Sequence, residues 1–291
     1  MSRILVALSL NEQYNSLVSY AIWLAKQLSN KTSIELLTVQ DYSFTPPTYL
    51  LPYLEEERRR YANILEGIIR TIKGYGIDAT YTVAKGRLID TFKKAICSLN
   101  IDLLVLGYKS HLLRMSSSEN MVRSINIPMF VCKGQKASRV NCLEDIDIKT
   151  VLCLTDFSEN SIRAFDFMKT ILANCKDDVK VILLNMISSI RVEEIFKNVH
   201  GVDRDKKEEF CDHLTHEALQ HLQRFESEGF SLEVICKIGI AYKTINDILR
   251  QRDVDLIFMG ARGIAQTEGF RIGSLTESIL KTSSCPVVVV T

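Results

Sequence analysis

A chain of 291 residues has room for two ordinary domains. With 46% apolar and 24% charged residues and a formal net charge of +1, it reads as globular, and no net field draws it to nucleic acid or an anionic membrane. It contains no apolar window of about 18 residues, the length a spanning helix needs.

The predicted elements alternate. The opening, residues 1–10, is apolar and holds Arg3, but the run is short, lacks a small-residue cleavage site and is followed at once by Asn11-Glu12-Gln13. It is therefore expected to be a buried first strand, not a leader. The first half then reads strand 4–8, helix 15–29, strand 33–39, long helix 53–73, strand 79–84, helix 88–98, strand 103–107, short helix 117–123, strand 129–131. The second half reads 151–154, 161–175, 179–186, 206–226, 231–237, 241–251, 256–259, 275–281 and 287–290 in the same alternation. The strands are short, β-branched and apolar on both faces, as in a parallel sheet covered by helices. The fold class expected is α/β, with doubly wound domains that place ligands beyond the C-terminal strand ends, where strand order reverses.

The halves are also copies of one another. Residues 101–107, IDLLVLG, match residues 254–260, VDLIFMG, at an offset of 153, and Gly86 matches Gly239 at the same offset. Residues 127–131, IPMFV, match residues 285–289, CPVVV, at an offset of 158. The five extra residues fall in one loop of the second half, as expected for two copies of one fold. The domains are expected at 1–133 and 150–291, joined by a polar linker at 134–149. The two copies could pair within one chain through 129–131 and 287–290, covering strand edges, and a homodimer of chains is a further expectation.

That loop, residues 260–274, reads GARGIAQTEGFRIGS between an apolar strand and a helix. Gly260 and Gly263 let the backbone turn and approach a ligand. Gly273 and Ser274 open a helix whose first amides carry partial positive charge, which suits phosphate. Ser274 and Thr276 offer hydroxyls to a phosphate or its metal, and Arg262 and Arg271 can neutralise charge. Neither G-x-x-x-x-G-K-[ST] nor G-x-G-x-x-G occurs. The same glycines also suit a plain long loop with an N-capping serine. Upstream, residues 154–161 read LTDFSENS. Asp156, after Thr155 at a strand end, can accept from ribose hydroxyls or an adenine amine, since a carboxylate is acceptor-only. It also suits a turn, and Ser158 or Ser161 suits a helix cap.

The string T-D-F-S-E-N-S after a strand, the G-x2-G-x9-G-S loop and the terminal C-P-V-V-V-V resemble the universal stress protein family, and the whole chain resembles its tandem two-domain form. The loop pattern matches that family's ATP-binding signature. The resemblance implies a five-stranded parallel sheet per domain, of the adenine-nucleotide alpha-hydrolase-like kind. It also implies ATP, or ADP or AMP in its place, with Mg²⁺ as a companion. Carried over, Asp156 meets the adenosine; Gly260, Gly263, Gly273 and Ser274 hold ribose and phosphates; Met186, at the second strand's end, borders adenine. With their neighbours Thr155, Arg262, Leu275 and Thr276, these form the expected cofactor-binding set.

The first half departs from the pattern. Ser9 stands where Asp156 does, Tyr108-Lys109-Ser110 follows Gly107, and Met115-Ser116 replaces Gly273-Ser274 in a loop five residues shorter. A β-carbon at each glycine position should impair phosphate binding. One nucleotide per chain is therefore expected, in the second domain.

Other features carry less. His213, Glu217 and His221 share a helix face with His216 nearby, which suits either a metal ion or a solvated face, and the run at 55–60, EEERRR, suits a solvated helix. Eight cysteines form no C-x-x-C pair; Cys97, Cys132, Cys153, Cys236 and Cys285 are expected as small core hydrophobes in a reducing compartment. No H-E-x-x-H, G-x-S-x-G or identifiable general base is present, so no catalytic residue is assigned. Three readings follow: a cytoplasmic stress-response regulator that binds an adenine nucleotide and answers to unidentified protein partners; a slow ATPase or nucleotidyl transferase on the same fold; and a nucleotide-free interaction module.

Overall fold

The computed structural model describes residues 2–10, 14–28, 31–41, 48–108, 116–175, 178–200, 205–223, 225, 229–263 and 272–291. The chain divides into two units, Met1–Asp147 and Ile148–Thr291. In the first, β1 (Arg3–Ala7), α1 (Asn15–Leu28), β2 (Ser33–Asp41), α2 (Leu51–Gly74), β3 (Asp78–Gly86), α3 (Leu88–Leu99), β4 (Leu103–Gly107), α4 (Ser117–Ser124) and β5 (Met129–Cys132) alternate, followed by a short α5 (Gly134–Ser138). The second contains β6 (Thr150–Thr155), α6 (Glu159–Leu172), β7 (Lys180–Ser188), α7 (Ser189–His200), α8 (Asp205–Leu222), β8 (Ser231–Gly239), α9 (Ala241–Gln251), β9 (Leu256–Gly260), α10 (Ser274–Thr282) and β10 (Val287–Val290).

Each unit holds five parallel strands. Their order is β3-β2-β1-β4-β5 in the first and β10-β9-β6-β7-β8 in the second. Apolar strands covered on both faces explain the pattern: β4, β5, β9 and β10 are runs of Leu, Val, Ile, Phe and Met buried almost throughout. A fully buried side chain such as Phe130 or Phe258 contributes about 1.5–3 kcal/mol through the area it removes from water. The covering helices show the complementary stripe, as in α9, which buries Ile245, Ile248 and Leu249.

Three features differ from the sequence expectation. Helix α7 was not among the predicted elements; it buries Val192 and Phe196 yet exposes Ile190, Ile195 and Val199, so apolar residues lie on both sides and the period is blurred. Segment 134–145 is ordered into α5 and a short 3₁₀ turn, with Ala137 and Val140 buried in the first unit. Cys97 lies exposed on α3, outside the core. Cys132, Cys153 and Cys285 are buried as expected, and burial pushes the thiols of Cys132 and Cys153 well up. Among the described residues no helix is long and apolar enough to cross a membrane.

Candidate functional site

In the second unit the strand order reverses between β6 and β9. The chain leaves β6 toward β7 on one side and leaves β9 toward β10 on the other. The C-terminal ends of these two adjacent strands carry Thr155-Asp156 and Gly260, which is where a doubly wound sheet opens a crevice.

The turn after β6 is tightly bonded. The buried Thr155 hydroxyl accepts from the Phe157 amide at 3.1 Å and lies 3.1 Å from the Ser161 hydroxyl. Asp156 Oδ1 accepts from the Ser158 amide at 3.1 Å. Ser158 caps α6, its hydroxyl accepting from the Ser161 amide at 3.4 Å. Asp156 is thus a turn residue and a candidate ligand group at once. Phe157 adopts the left-handed conformation, φ +63°, which costs an L-residue with a large side chain roughly 1–2 kcal/mol. Its ring packs at 5.6 Å from that of His221 and 6.4 Å from that of Phe225, which meets Phe165 edge-on at 4.9 Å.

The three glycines of the loop have three different surroundings. A β-carbon on Gly260 would lie 3.0 Å from backbone atoms of Asn160 and Ser161, so this glycine lets the end of β9 pack against the start of α6. On Gly263 it would lie 2.2 Å from Asp156 Oδ2, so Gly263 makes room for that carboxylate. On Gly273 the nearest atom would be Ala261 O at 3.5 Å, an ordinary contact, and the backbone there is open to any residue at φ −74°, ψ 152°. Packing within the protein does not require a glycine at 273.

Gly273 is the N-cap of α10, and among the described residues no side chain caps that helix. Helix-start amides of this kind suit an outside acceptor. In the first unit the equivalent helix, α4, caps itself. Ser116 Oγ accepts from the Glu119 amide at 3.1 Å, and the buried Glu119 carboxylate accepts from the Ser116 amide at 2.7 Å. This capping box places a carboxylate of the protein at α4, where α10 offers a bare helix end.

The remaining expected residues divide. Ser274 is exposed at the start of α10. Thr276 is buried, and its hydroxyl donates to Gly260 O at 3.0 Å, tying α10 to β9 instead of facing the crevice. Arg262 is half-buried, its carbonyl 3.5 Å from the Ser158 hydroxyl, and its buried Nε–H has no hydrogen-bond partner among the described residues. A buried cationic donor left unsatisfied is costly unless an acceptor arrives. Met186 is half-buried on β7, which runs on to Ser188; since Thr155 pairs with Asn185, Met186 is level with Asp156. Leu275, in the first turn of α10, is half-buried. Arg271 and residues 264–270 lie outside the described residues, as do Lys109, Ser110 and Met115 of the first unit.

Two neighbours escaped the sequence reading. Asn185, buried in an apolar strand, donates from Nδ2 to Thr155 O at 2.9 Å and fixes the end of β6. A lone polar residue inside the run VILLNMI was its signal. Phe157 gave none. The α8 face is otherwise occupied: His213 meets Glu217 at 3.4 Å, His216 meets Gln220 at 2.9 Å, and His221 packs on Phe157. Among the described residues no cluster of three or more His, Cys, Asp or Glu could hold a metal ion.

An acceptor at Asp156, an uncapped helix end, and an unsatisfied buried guanidinium N–H suit a ligand with hydroxyls or an amine at one end and negative charge at the other. The family model described as Universal stress protein family matches residues 1–133 and again 147–291. Universal stress protein MJ0577 of Methanocaldococcus jannaschii is 32% identical over 154 residues, covering 49% of this chain and 94% of that protein. Across the whole chain, the fold is similar to that of a universal stress protein from Archaeoglobus fulgidus, at 20% identity, TM-score 0.71, and 99% and 96% coverage of the two chains. A structure described as a universal stress protein from Pseudomonas aeruginosa is similar over 100% of this chain and 93% of its own, at 14% identity and TM-score 0.65. The chain belongs to the universal stress protein family, as two such domains in tandem.

Proposed function

We propose that this protein is a cytoplasmic stress-response regulator that holds one adenine nucleotide, ATP or else ADP or AMP, in its second unit. The observation that carries this is the meeting of Asp156 with Gly263 beside an uncapped α10. Asp156 would accept from the ribose hydroxyls or the adenine amine through the oxygen next to Gly263. Met186 would border the base. The first amides of α10, with the Ser274 hydroxyl, would receive phosphate oxygens. Arg262 would supply its Nε–H and its charge. Mg²⁺ would ride with the phosphates, neutralising their charge.

Titration calorimetry of the full chain with ATP, ADP and AMP, with and without Mg²⁺, tests the reading. One nucleotide bound per chain, with affinity lost in Asp156→Ala, is the expected result. Flat titrations with all three would overturn it and leave the second unit an interaction module.

A further inference from the structure

We infer that Phe157 is a positioning residue for the adenosine end of this site, holding the Asp156 turn in shape through its own left-handed backbone. The inference rests on the nucleotide reading above and adds a residue which that reading does not use.

Phe157 is one of three residues other than glycine with positive φ among those described; the others are Asn100 and Asp253. Asparagine and aspartate visit this region routinely because a short polar side chain can bond locally, whereas phenylalanine has no such compensation. It is held there from two sides. On the backbone side, its amide donates to Thr155 Oγ1, and the next amide, of Ser158, donates to Asp156 Oδ1. The reversal between these two bonds is Phe157 itself. On the side-chain side, its ring lies against His221 of α8 and against Phe225, which is anchored edge-on by the buried Phe165 of α6. The aromatic contacts hold the ring outward from the turn, and with the ring in that place the backbone keeps Asp156 Oδ1 on the Ser158 amide. Asp156 Oδ2 is then left against Gly263. The ring therefore acts through the backbone, and the ligand meets Asp156.

Two substitutions separate this from a role in packing alone. Phe157→Ala removes the ring but keeps the penalty of positive φ, so the turn should relax and Asp156 should swing. Phe157→Gly removes the ring and the penalty together, so the turn should persist. Calorimetry on the full chain would use ATP, AMP and inorganic tripolyphosphate as probes. Phe157→Ala is expected to weaken ATP and AMP by about tenfold, the scale of the conformational preference lost, and to leave tripolyphosphate unchanged. Phe157→Gly should bring ATP back to within about twofold of the parent, the remainder reflecting glycine's freedom. Equal ATP binding in the parent and Phe157→Ala would overturn the inference. So would a glycine variant as weak as the alanine one, because the ring would then be needed for itself. Hydrogen exchange of the Ser158 amide reads the turn without any ligand: it should speed up in Phe157→Ala and stay slow in Phe157→Gly. If the parent binds no adenine nucleotide, the proposed function fails, and unchanged Ser158 exchange in Phe157→Ala would separately overturn the positioning role.

Discussion

Asp156 and Gly263 come from the ends of two neighbouring strands and meet so closely that a β-carbon at 263 would stand 2.2 Å from Asp156 Oδ2. The atom in the way belongs to a side chain and not to backbone, so Gly263→Ala should fold and displace the carboxylate. ATP affinity should fall by about tenfold or more, close to the loss in Asp156→Ala, since a misplaced charged acceptor forfeits about 1.5–3 kcal/mol. Calorimetry beside thermal unfolding checks it. Normal ATP affinity in the alanine variant would mean that Asp156 does not need its place.

Gly260→Ala should do the reverse. Its β-carbon would meet backbone atoms of Asn160 and Ser161 at 3.0 Å, and backbone cannot step aside cheaply. The expected loss is about 1–3 kcal/mol of stability, the usual cost of overpacking, read by urea denaturation. An unchanged midpoint would show that α6 can retreat from β9. Thr276→Val belongs with it: the buried hydroxyl that ties α10 to Gly260 O is removed, at about 1–3 kcal/mol for the acceptor left behind.

Gly273→Ala isolates binding from folding. Its β-carbon would find only ordinary contacts, and the backbone conformation suits alanine. Stability should change by less than about 1 kcal/mol, since alanine is the poorer N-cap by a modest amount. The added methyl would stand at the open end of α10, so tripolyphosphate and ATP should both bind more weakly. Undiminished binding of both would remove the α10 terminus from the site.

Glu233 contributes to the pH dependence of the fold in the second unit. The Lys180 ammonium, aided by Arg252 and opposed by partial burial, holds the Glu233 carboxyl below its ordinary 4.5. A carboxyl depressed in the folded state stabilises fully above the unfolded value, and that contribution is lost as pH falls through the folded value. The group is partly exposed and screened, so the contribution is on the order of 0.5 kcal/mol. Glu233→Gln should therefore be less stable than the parent at pH 7, and the gap should narrow as pH falls through the depressed folded value of this carboxyl, below its ordinary 4.5. A gap that is constant with pH would assign the loss to packing.

The fold was legible because its signals are local. Apolar runs such as residues 103–107 and 256–260 ending in glycine announce buried parallel strands, and the repeated offset announces two copies. Asp156 and the loop glycines stood out as candidates for the same reason, a carboxylate at a strand end and glycines before a helix, although each also suited a turn or a plain loop. What the glycines do was not legible. Only the placement of Asn160, Asp156 and Ala261 shows that Gly260 serves packing, Gly263 the carboxylate, and Gly273 neither. Nothing in a threonine at 276 tells which way its hydroxyl turns, and nothing in a phenylalanine at 157 announces positive φ. Helix α7 escaped because Ile190, Ile195 and Val199 are exposed, which erases the period that Val192 and Phe196 would set.

The contrast between α4 and α10 bears on the number of nucleotides that the proposed function allows per chain. In the first unit the Ser116 amide is bonded to Glu119 and the Glu119 amide to Ser116, and the carboxylate is buried there. An incoming phosphate would have to displace that carboxylate and meet its charge, against a field that already favours the resident anion. In the second unit the N-cap is Gly273, and among the described residues no side chain caps α10. Native mass spectrometry of gently purified protein should therefore give at most one adenine nucleotide per chain, and Asp156→Ala should reduce it to none. Ser116→Ala should cost about 1 kcal/mol of stability, as loss of an N-cap does, without changing the number bound. Two nucleotides per parent chain would show that the Glu119 carboxylate yields its place, and one surviving in Asp156→Ala would move the site to the first unit.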